Sequence, residues 1–420
     1  MESTPKSLRL QIALFGRTNV GKSSLLNMFA DQDIAIVSEM PGTTTDVVEK
    51  PLELLPIGPV VFLDTPGLDD TSELGEKRIE RSKRILSRAD IAIIVIEPNK
   101  WTDSEIALLN SIKEKNIPTI IVINKSDLGK SSPEFIEKFK KDGIDAIEVS
   151  SFDAENRDNY VKQLKSAIAK LLPKAEQSQN VSILGDLVPN AGGLVIFITP
   201  IDLQAPKGRL ILPQVQAIRD SLDNDLVVMV VKEREYPDAL RMLNRKPDLV
   251  VCDSQVVYKM VADTPDDVPC TTFSILFSRL KGDFAEEVRG AAEIDNIEEG
   301  DKILIAEACS HHSLEDDIGK VKIPRWLRQY LGFDVQIDFC NGRDYPQNLE
   351  EYKLIIHCGS CMITRTEKLN RIDAAKQVNV PITNYGMTIS MIQGVFKRVL
   401  SPFPEILESI DLEKRDENSN

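Results

Sequence analysis

Gly16-Arg-Thr-Asn-Val-Gly-Lys-Ser23 follows the apolar run Leu8–Phe15 and leads straight into Ser24-Leu-Leu-Asn-Met-Phe-Ala30. The order strand, glycine-rich loop, helix is the context in which GxxxxGK[ST] has a physical meaning. Its glycines let backbone N–H groups wrap phosphate oxygens at a helix N-terminus, Lys22 brings a cation to the β/γ oxygens, and Ser23 offers a hydroxyl to Mg²⁺. Gly16, Asn19, Val20, Gly21, Lys22, Ser23 and Ser24 are therefore the candidate phosphate-side contacts.

Working outward, strand-like apolar runs alternate with amphipathic helix-length segments as far as Leu172, which predicts a mostly parallel sheet wrapped by helices. The runs are Leu8–Phe15, Val60–Leu63, Ile91–Ile96, Pro118–Ile123 and Ala146–Val149. Asp64-Thr-Pro-Gly67 ends the second run, where a carboxylate can hold Mg²⁺ through water and a glycine N–H can sense the γ-phosphate. Asn124-Lys-Ser-Asp127 ends the fourth. Asp127 can accept two hydrogen bonds from guanine N1–H and the 2-amino group, a pair that adenine lacks, so the expected nucleotide is GTP. Ser150 and Ser151 follow the last run and are placed to close over the base, with Asn124 and Lys125 beside it.

These motifs resemble the translation-factor-like GTPases related to TrmE and Era over roughly residues 8–172. The resemblance implies that Thr44, in Pro41-Gly-Thr-Thr-Thr-Asp46, is the switch threonine on Mg²⁺, with Thr45 as the alternative register, and that Lys22, Thr44, Asp64 and Gly67 form the hydrolytic centre. Leu68 follows Gly67, where Ras-like enzymes place a water-orienting glutamine. In the TrmE-like group an asparagine of the phosphate loop, matched by Asn19, helps bind a K⁺ ion that stands in for an arginine finger.

With 420 residues, the chain is long enough for two or three domains. The expected fold class is α/β: a P-loop GTPase domain at 1–172, a polar linker at 173–182, and two smaller α/β domains with mainly parallel sheets at 183–268 and 269–410, then a frayed tail at 411–420. The middle region carries strands at Leu194–Thr199, Leu226–Val231 and Asp248–Cys252, with Pro213 and Pro237 near helix starts. The last region carries Lys302–Cys309, Val335–Cys340, Tyr352–Cys358 and Pro381–Tyr385. A hydrophobic content of 42% with 28% charged residues suits a globular protein. The net charge of −15 argues against a general nucleic-acid or anionic-membrane binder. No apolar run approaches the roughly 18 residues of a membrane span, and the N-terminal stretch has no signal-peptide pattern, so a cytoplasmic location is expected. Lys77–Arg88 is the one basic concentration, and it reads as a solvated helix face.

All three histidines, at 311, 312 and 357, lie within three residues of Cys309, Cys358 or Cys361. Cys309-Ser-His311 and His357-Cys358-Gly-Ser-Cys361 place thiols and imidazoles at the ends of neighbouring strands. If those strands are parallel, the ends share one sheet edge, where open α/β folds build ligand sites. CxxC with a glycine inside lets two thiolates converge on one metal or cluster.

CxH followed by HCxxC, joined to a TrmE-like GTPase through a middle α/β region, resembles the HydF family of FeFe-hydrogenase maturation GTPases. Pro200–Pro213 and Cys309–Gly319 share in the likeness, which covers nearly the whole chain. It implies a 4Fe-4S cluster on Cys309, Cys358 and Cys361 and a dimerising middle domain. It also implies a scaffold or chaperone role carrying a diiron precursor, with the radical-SAM maturases HydE and HydG and apo FeFe-hydrogenase as partners. The fourth cluster ligand stays open among His311, His357 and Glu307, and Cys340 is expected to be a structural thiol. The competing reading is a tRNA-modifying or ribosome-associated GTPase with an accessory zinc site.

Overall fold

The computed structural model describes residues 9–30, 48–55, 57–65, 85–176, 182–200, 210–308, 317–342, 345–346, 348–360 and 363–409. The chain divides into two units, 1–180 and 181–420. Among the described residues no helix is long and apolar enough to cross a membrane.

The first unit is built on a six-stranded sheet ordered β2-β3-β1-β4-β5-β6. Its strands are β1 Leu10–Phe15, β2 Val48–Leu54, β3 Gly58–Asp64, β4 Ile91–Ile96, β5 Thr119–Ile123 and β6 Asp145–Glu148. All neighbours pair in parallel except β2 and β3, which form an antiparallel hairpin. β4 is apolar and buried at every position, and its neighbours β1, β3 and β5 are apolar over most of their length, because both faces of the sheet are covered. Ile12, Leu14, Phe62, Ile93 and Val122 enter one core with Leu25 and Leu164, from the helices Lys22–Ala30 and Arg157–Glu176. Ala13, Phe15, Leu63, Ile94 and Ile121 enter the other with Leu108, Ile112 and Phe139, from Asp103–Glu114 and Pro133–Lys141.

The second unit holds two four-stranded parallel sheets. One has the order β10-β9-β7-β8, from β7 Leu194–Ile198, β8 Val227–Val231, β9 Leu249–Cys252 and β10 Cys270–Thr272. The other has the order β12-β11-β13-β14, from β11 Lys302–Glu307, β12 Gln336–Asn341, β13 Leu354–His357 and β14 Ile382–Asn384. A single apolar cluster joins them, with Phe197, Val251, Phe277, Ile305, Ile356 and Met387 among its members. The helix Phe284–Ala292 seats directly on β14: a Cβ at Gly290 would lie 2.1 Å from the Ile382 carbonyl oxygen.

Several expected boundaries move. The helix Arg157–Glu176 runs past residue 172 into the stretch read as linker. β10 lies beyond residue 268 yet belongs to the middle sheet, because its three residues pair with β9. β6 is displaced by one residue from the expected Ala146–Val149. Nor do the cysteine strands stop on cysteine: β11 ends at Glu307, β12 runs one residue past Cys340, and β13 ends one residue before Cys358. The expected tail lies outside the described residues.

Candidate functional site

At the end of β1 the chain turns sharply under β4. Gly16 has φ 151°, and a Cβ there would lie 2.4 Å from the Val95 carbonyl oxygen. Gly21 has φ 95°, and its Cβ would lie 2.1 Å from Asn124 Nδ2. Between them Asn19 also takes left-handed backbone, φ 63°, a region asparagine tolerates better than most residues. Lys22 Nζ donates to the carbonyls of Gly16 and Arg17, each at 2.9 Å, so its ammonium lies over the loop. Ser23 and Ser24 occupy the first turn of the following helix.

The base side is tied to the same loop. Asn124 is buried, its Nδ2 donates to Val20 O at 2.9 Å, and its Oδ1 accepts from the Ser151 N–H and hydroxyl at 3.1 and 2.9 Å. Ser150 Oγ donates to Asp127 Oδ1 at 2.6 Å, leaving the carboxylate's other oxygen for a base edge. Lys125, with φ 64°, reaches Glu97 at 2.5 Å. Glu97 is held down to a pKa of about 2 by its hydrogen bonds to Lys100 and Lys125. Asp64 closes β3 and faces Lys50 at 3.7 Å; burial raises its carboxyl pKa, opposed by Lys50 and Lys22. Thr44, Thr45, Gly67 and Leu68 lie outside the described residues.

The second site forms at the carboxyl edge of β12-β11-β13-β14. Ala306 stands level with Cys340 on one side and His357 on the other. Beyond the strand ends, the Ala308 N–H donates to Cys358 Sγ at 3.1 Å, and the Cys358 N–H donates to Ala306 O at 2.9 Å. These two bonds bring the residue before Cys309 against Cys358. Ser360, buried and with φ 53°, donates to Cys358 O at 3.2 Å. Desolvation pushes the Cys358 thiol pKa up, and the Ala308 and Ser360 amides oppose the shift.

The candidate fourth ligands part company here. His357 is buried, its ring lies 5.7 Å from that of Tyr345, and neither ring nitrogen has a hydrogen-bond partner among the described residues. Burial, then the nearby cations Arg371 and Lys368, pushes its pKa well down, so the imidazole is neutral. Glu307 is also buried, but it accepts from Tyr385 Oη at 3.2 Å and lies 3.8 Å from Lys320. Gly319 makes room for that pair, since a Cβ there would lie 2.1 Å from Tyr385 Oη. Cys340 packs among Leu304, Ala306 and Ile355 as a buried thiol. Cys309, His311, His312 and Cys361 lie outside the described residues, and among the described residues no three His, Cys, Asp or Glu side chains converge as a metal site. Sequence reasoning missed the contacts of Lys125 with Glu97, Arg17 with Glu105 and Tyr385 with Glu307, which join residues distant in the chain.

Comparison with known proteins divides along the same units. Residues 11–125 match a family described as 50S ribosome-binding GTPase. Residues 183–282 match the hydrogen maturase F dimerization domain and 285–402 the hydrogen maturase F tetramerization domain, which together span more than half of the chain. The chain belongs to the hydrogen maturase F family. In this hydrogen maturase F chain the N-terminal unit is a GTPase, and curated relatives of that unit are tRNA modification GTPases MnmE. That of Synechococcus sp. strain JA-3-3Ab is 36% identical over 176 residues, covering 41% of this chain and 36% of the relative. That of Synechococcus sp. strain JA-2-3B'a(2-13) is 46% identical over 121 residues, 28% of this chain and 26% of the relative. The chain thus spans about a third or less of the length of these relatives. The solved G domain of the T. maritima FeoB iron transporter is 25% identical, covers 39% of this chain and 99% of its own, and has a TM-score of 0.32.

Proposed function

We infer that this protein is a GTP-hydrolysing iron–sulfur scaffold of hydrogenase maturation, which carries a diiron precursor to apo FeFe-hydrogenase and works with the radical-SAM maturases HydE and HydG. The observation that carries the reading is the Ala308–Cys358 bond at the sheet edge. An amide donating to sulfur is what a cluster-bound thiolate accepts, and the donor, Ala308, immediately precedes Cys309 in the sequence. Cys309, Cys358 and Cys361 are proposed to hold a 4Fe-4S cluster, for which their thiolates are the fitting donors; of the three, Cys358 lies among the described residues, and its sulfur accepts an amide hydrogen bond. When bound, such a cluster supplies an iron with an open position for a second unit. Glu307, on the Tyr385 side, His357, on the Tyr345 side, and His311 remain the candidates for that position.

GTP and Mg²⁺ belong to the first unit, with Ser23, Thr44 and Asp64 proposed on the metal side and Asn19 on K⁺. The protein is proposed to be a homodimer through β8, an edge strand of its sheet whose Val227 and Val230 are 53% and 43% exposed. Anaerobic purification with counting of iron, sulfide and zinc, followed by transfer of precursor to apo-hydrogenase, tests the reading. Stoichiometric zinc without sulfide, or a loaded protein that never activates the hydrogenase, would overturn it.

A further inference from the structure

The phosphate loop is anchored on both sides. Three of its residues, Gly16, Asn19 and Gly21, take φ values of 151°, 63° and 95°, so the loop holds a shape a free peptide would not keep. On the base side Asn124 restrains it through Val20 O. On the other side Arg17 Nε donates to Glu105 Oε1 at 2.8 Å, across 88 residues of sequence. Glu105 has 0% exposure, whereas the Arg17 side chain has 19%.

Glu105 begins as an ordinary helix cap. Its Oε2 accepts from the Thr102 N–H at 2.8 Å and from the Thr102 hydroxyl, stabilising the start of Asp103–Glu114. A capping carboxylate needs neither full burial nor its second oxygen, yet here that oxygen is spent on the phosphate loop. Arg17 also bears on Lys22, because its carbonyl is one of the two that hold the Lys22 ammonium.

We propose that Glu105 is a positioning residue for nucleotide binding: by gripping Arg17 from the helix Asp103–Glu114 it sets the phosphate-loop shape and hence the reach of Lys22. The pair is proposed to act through the loop backbone and Lys22, whose ammonium the Arg17 carbonyl holds. Its loss weakens the binding of GDP and GTP alike, because the geometry it fixes serves the phosphates common to both.

The test measures affinity for fluorescent GDP and GTP analogues, and KM and kcat for hydrolysis, on the full chain. Glu105→Gln and Arg17→Met should each raise Kd and KM about tenfold while kcat changes by less than about twofold, and the double variant should be no worse than the poorer single one. Arg17→Lys, which keeps a cationic donor, should recover most of the affinity. Thr102→Ala supplies the contrast: it removes the hydroxyl partner, lowers the melting temperature of the nucleotide-free protein, and leaves Kd unchanged. Multiplicative losses in the double variant, unchanged affinity in folded Arg17→Met, or a Thr102→Ala loss equal to that of Glu105→Gln would overturn the proposal. If Glu105→Gln does not fold, the comparison of Arg17→Met with Arg17→Lys decides it.

Discussion

The backbone amide of Ala308 donates to the sulfur of Cys358 at 3.1 Å, although 50 residues separate the two in sequence. A neutral thiol accepts such a bond weakly and a thiolate accepts it well, so the contact favours the ligating form. Replacing Cys309, Cys358 or Cys361 by Ala should each remove most cluster iron and sulfide. GTP hydrolysis should stay within about twofold, since the nucleotide site belongs to a separate unit. Cys340→Ala should keep its cluster. Anaerobic reconstitution with iron and sulfide analysis reads both outcomes, and full occupancy in any of the three motif variants contradicts the assignment.

The proposed base contact is Asp127, one oxygen of which accepts from Ser150 Oγ. Asp127→Asn exchanges an acceptor for an amide and should turn preference from GTP toward xanthosine triphosphate. Lys22→Ala removes a charge-assisted contact worth about 1.5–3 kcal/mol and should cost about 10- to 100-fold in affinity. Competition binding with the two triphosphates checks both, and undiminished GTP selectivity in Asp127→Asn would refute the base assignment.

Asn19 projects from the phosphate loop in left-handed backbone and is exposed. If it helps hold K⁺, hydrolysis in potassium should exceed that in sodium by about tenfold or more at equal ionic strength, a fraction of the roughly 10³–10⁵ that an arginine finger supplies. Asn19→Ala should erase the difference. Equal rates in the two salts for the unaltered protein would remove the cation from the mechanism.

Within the second unit, Lys368 and Glu287 form an ion pair with 2% and 1% exposure, and Asn384 donates to Glu287 Oε2 at 2.7 Å. Lys368→Met strands the carboxylate and should destabilise that unit by about 3–5 kcal/mol. Urea unfolding followed through Trp326, in a Trp101→Phe background, measures it. A midpoint unmoved by the substitution would mean the pair contributes nothing.

Association is expected along β8. Val230→Lys places a charge at an exposed apolar position of that edge strand and should convert dimers to monomers, with light scattering giving the mass. A variant that remains dimeric would move the interface elsewhere.

The parts of the fold legible in sequence were those where chemistry or burial is continuous. β4, Ile91–Ile96, is buried at every position and could be read directly. The phosphate loop was legible because its glycines are demanded by contacts with Val95 and Asn124. β2 was missed because it is an antiparallel edge strand, VEKPLEL, whose proline and charges hide its alternation. β10 was missed because three residues carry no period. At the cysteine edge the clustering was legible, whereas the opposite facing of His357 and Glu307 needed strand register and the positions of Tyr345 and Tyr385. The Arg17–Glu105 contact left no trace in spacing, since an acid three residues after a threonine reads simply as a cap.

The shared core of the second unit has a consequence for protein synthesis. Ser278 lies before the junction at 283–284 and Glu287, Lys368 and Asn384 after it, yet they make one buried network, and Met387 and Phe396 fill the same apolar cluster as Phe197. The first unit is complete once Asn180 has left the ribosome, but the second cannot close until its last helices emerge. A message truncated before Ile382 would therefore yield a finished nucleotide switch tethered to an open apolar half. Such a product should be cleared by proteases rather than act as a competitor, so late nonsense mutations are expected to behave as simple losses.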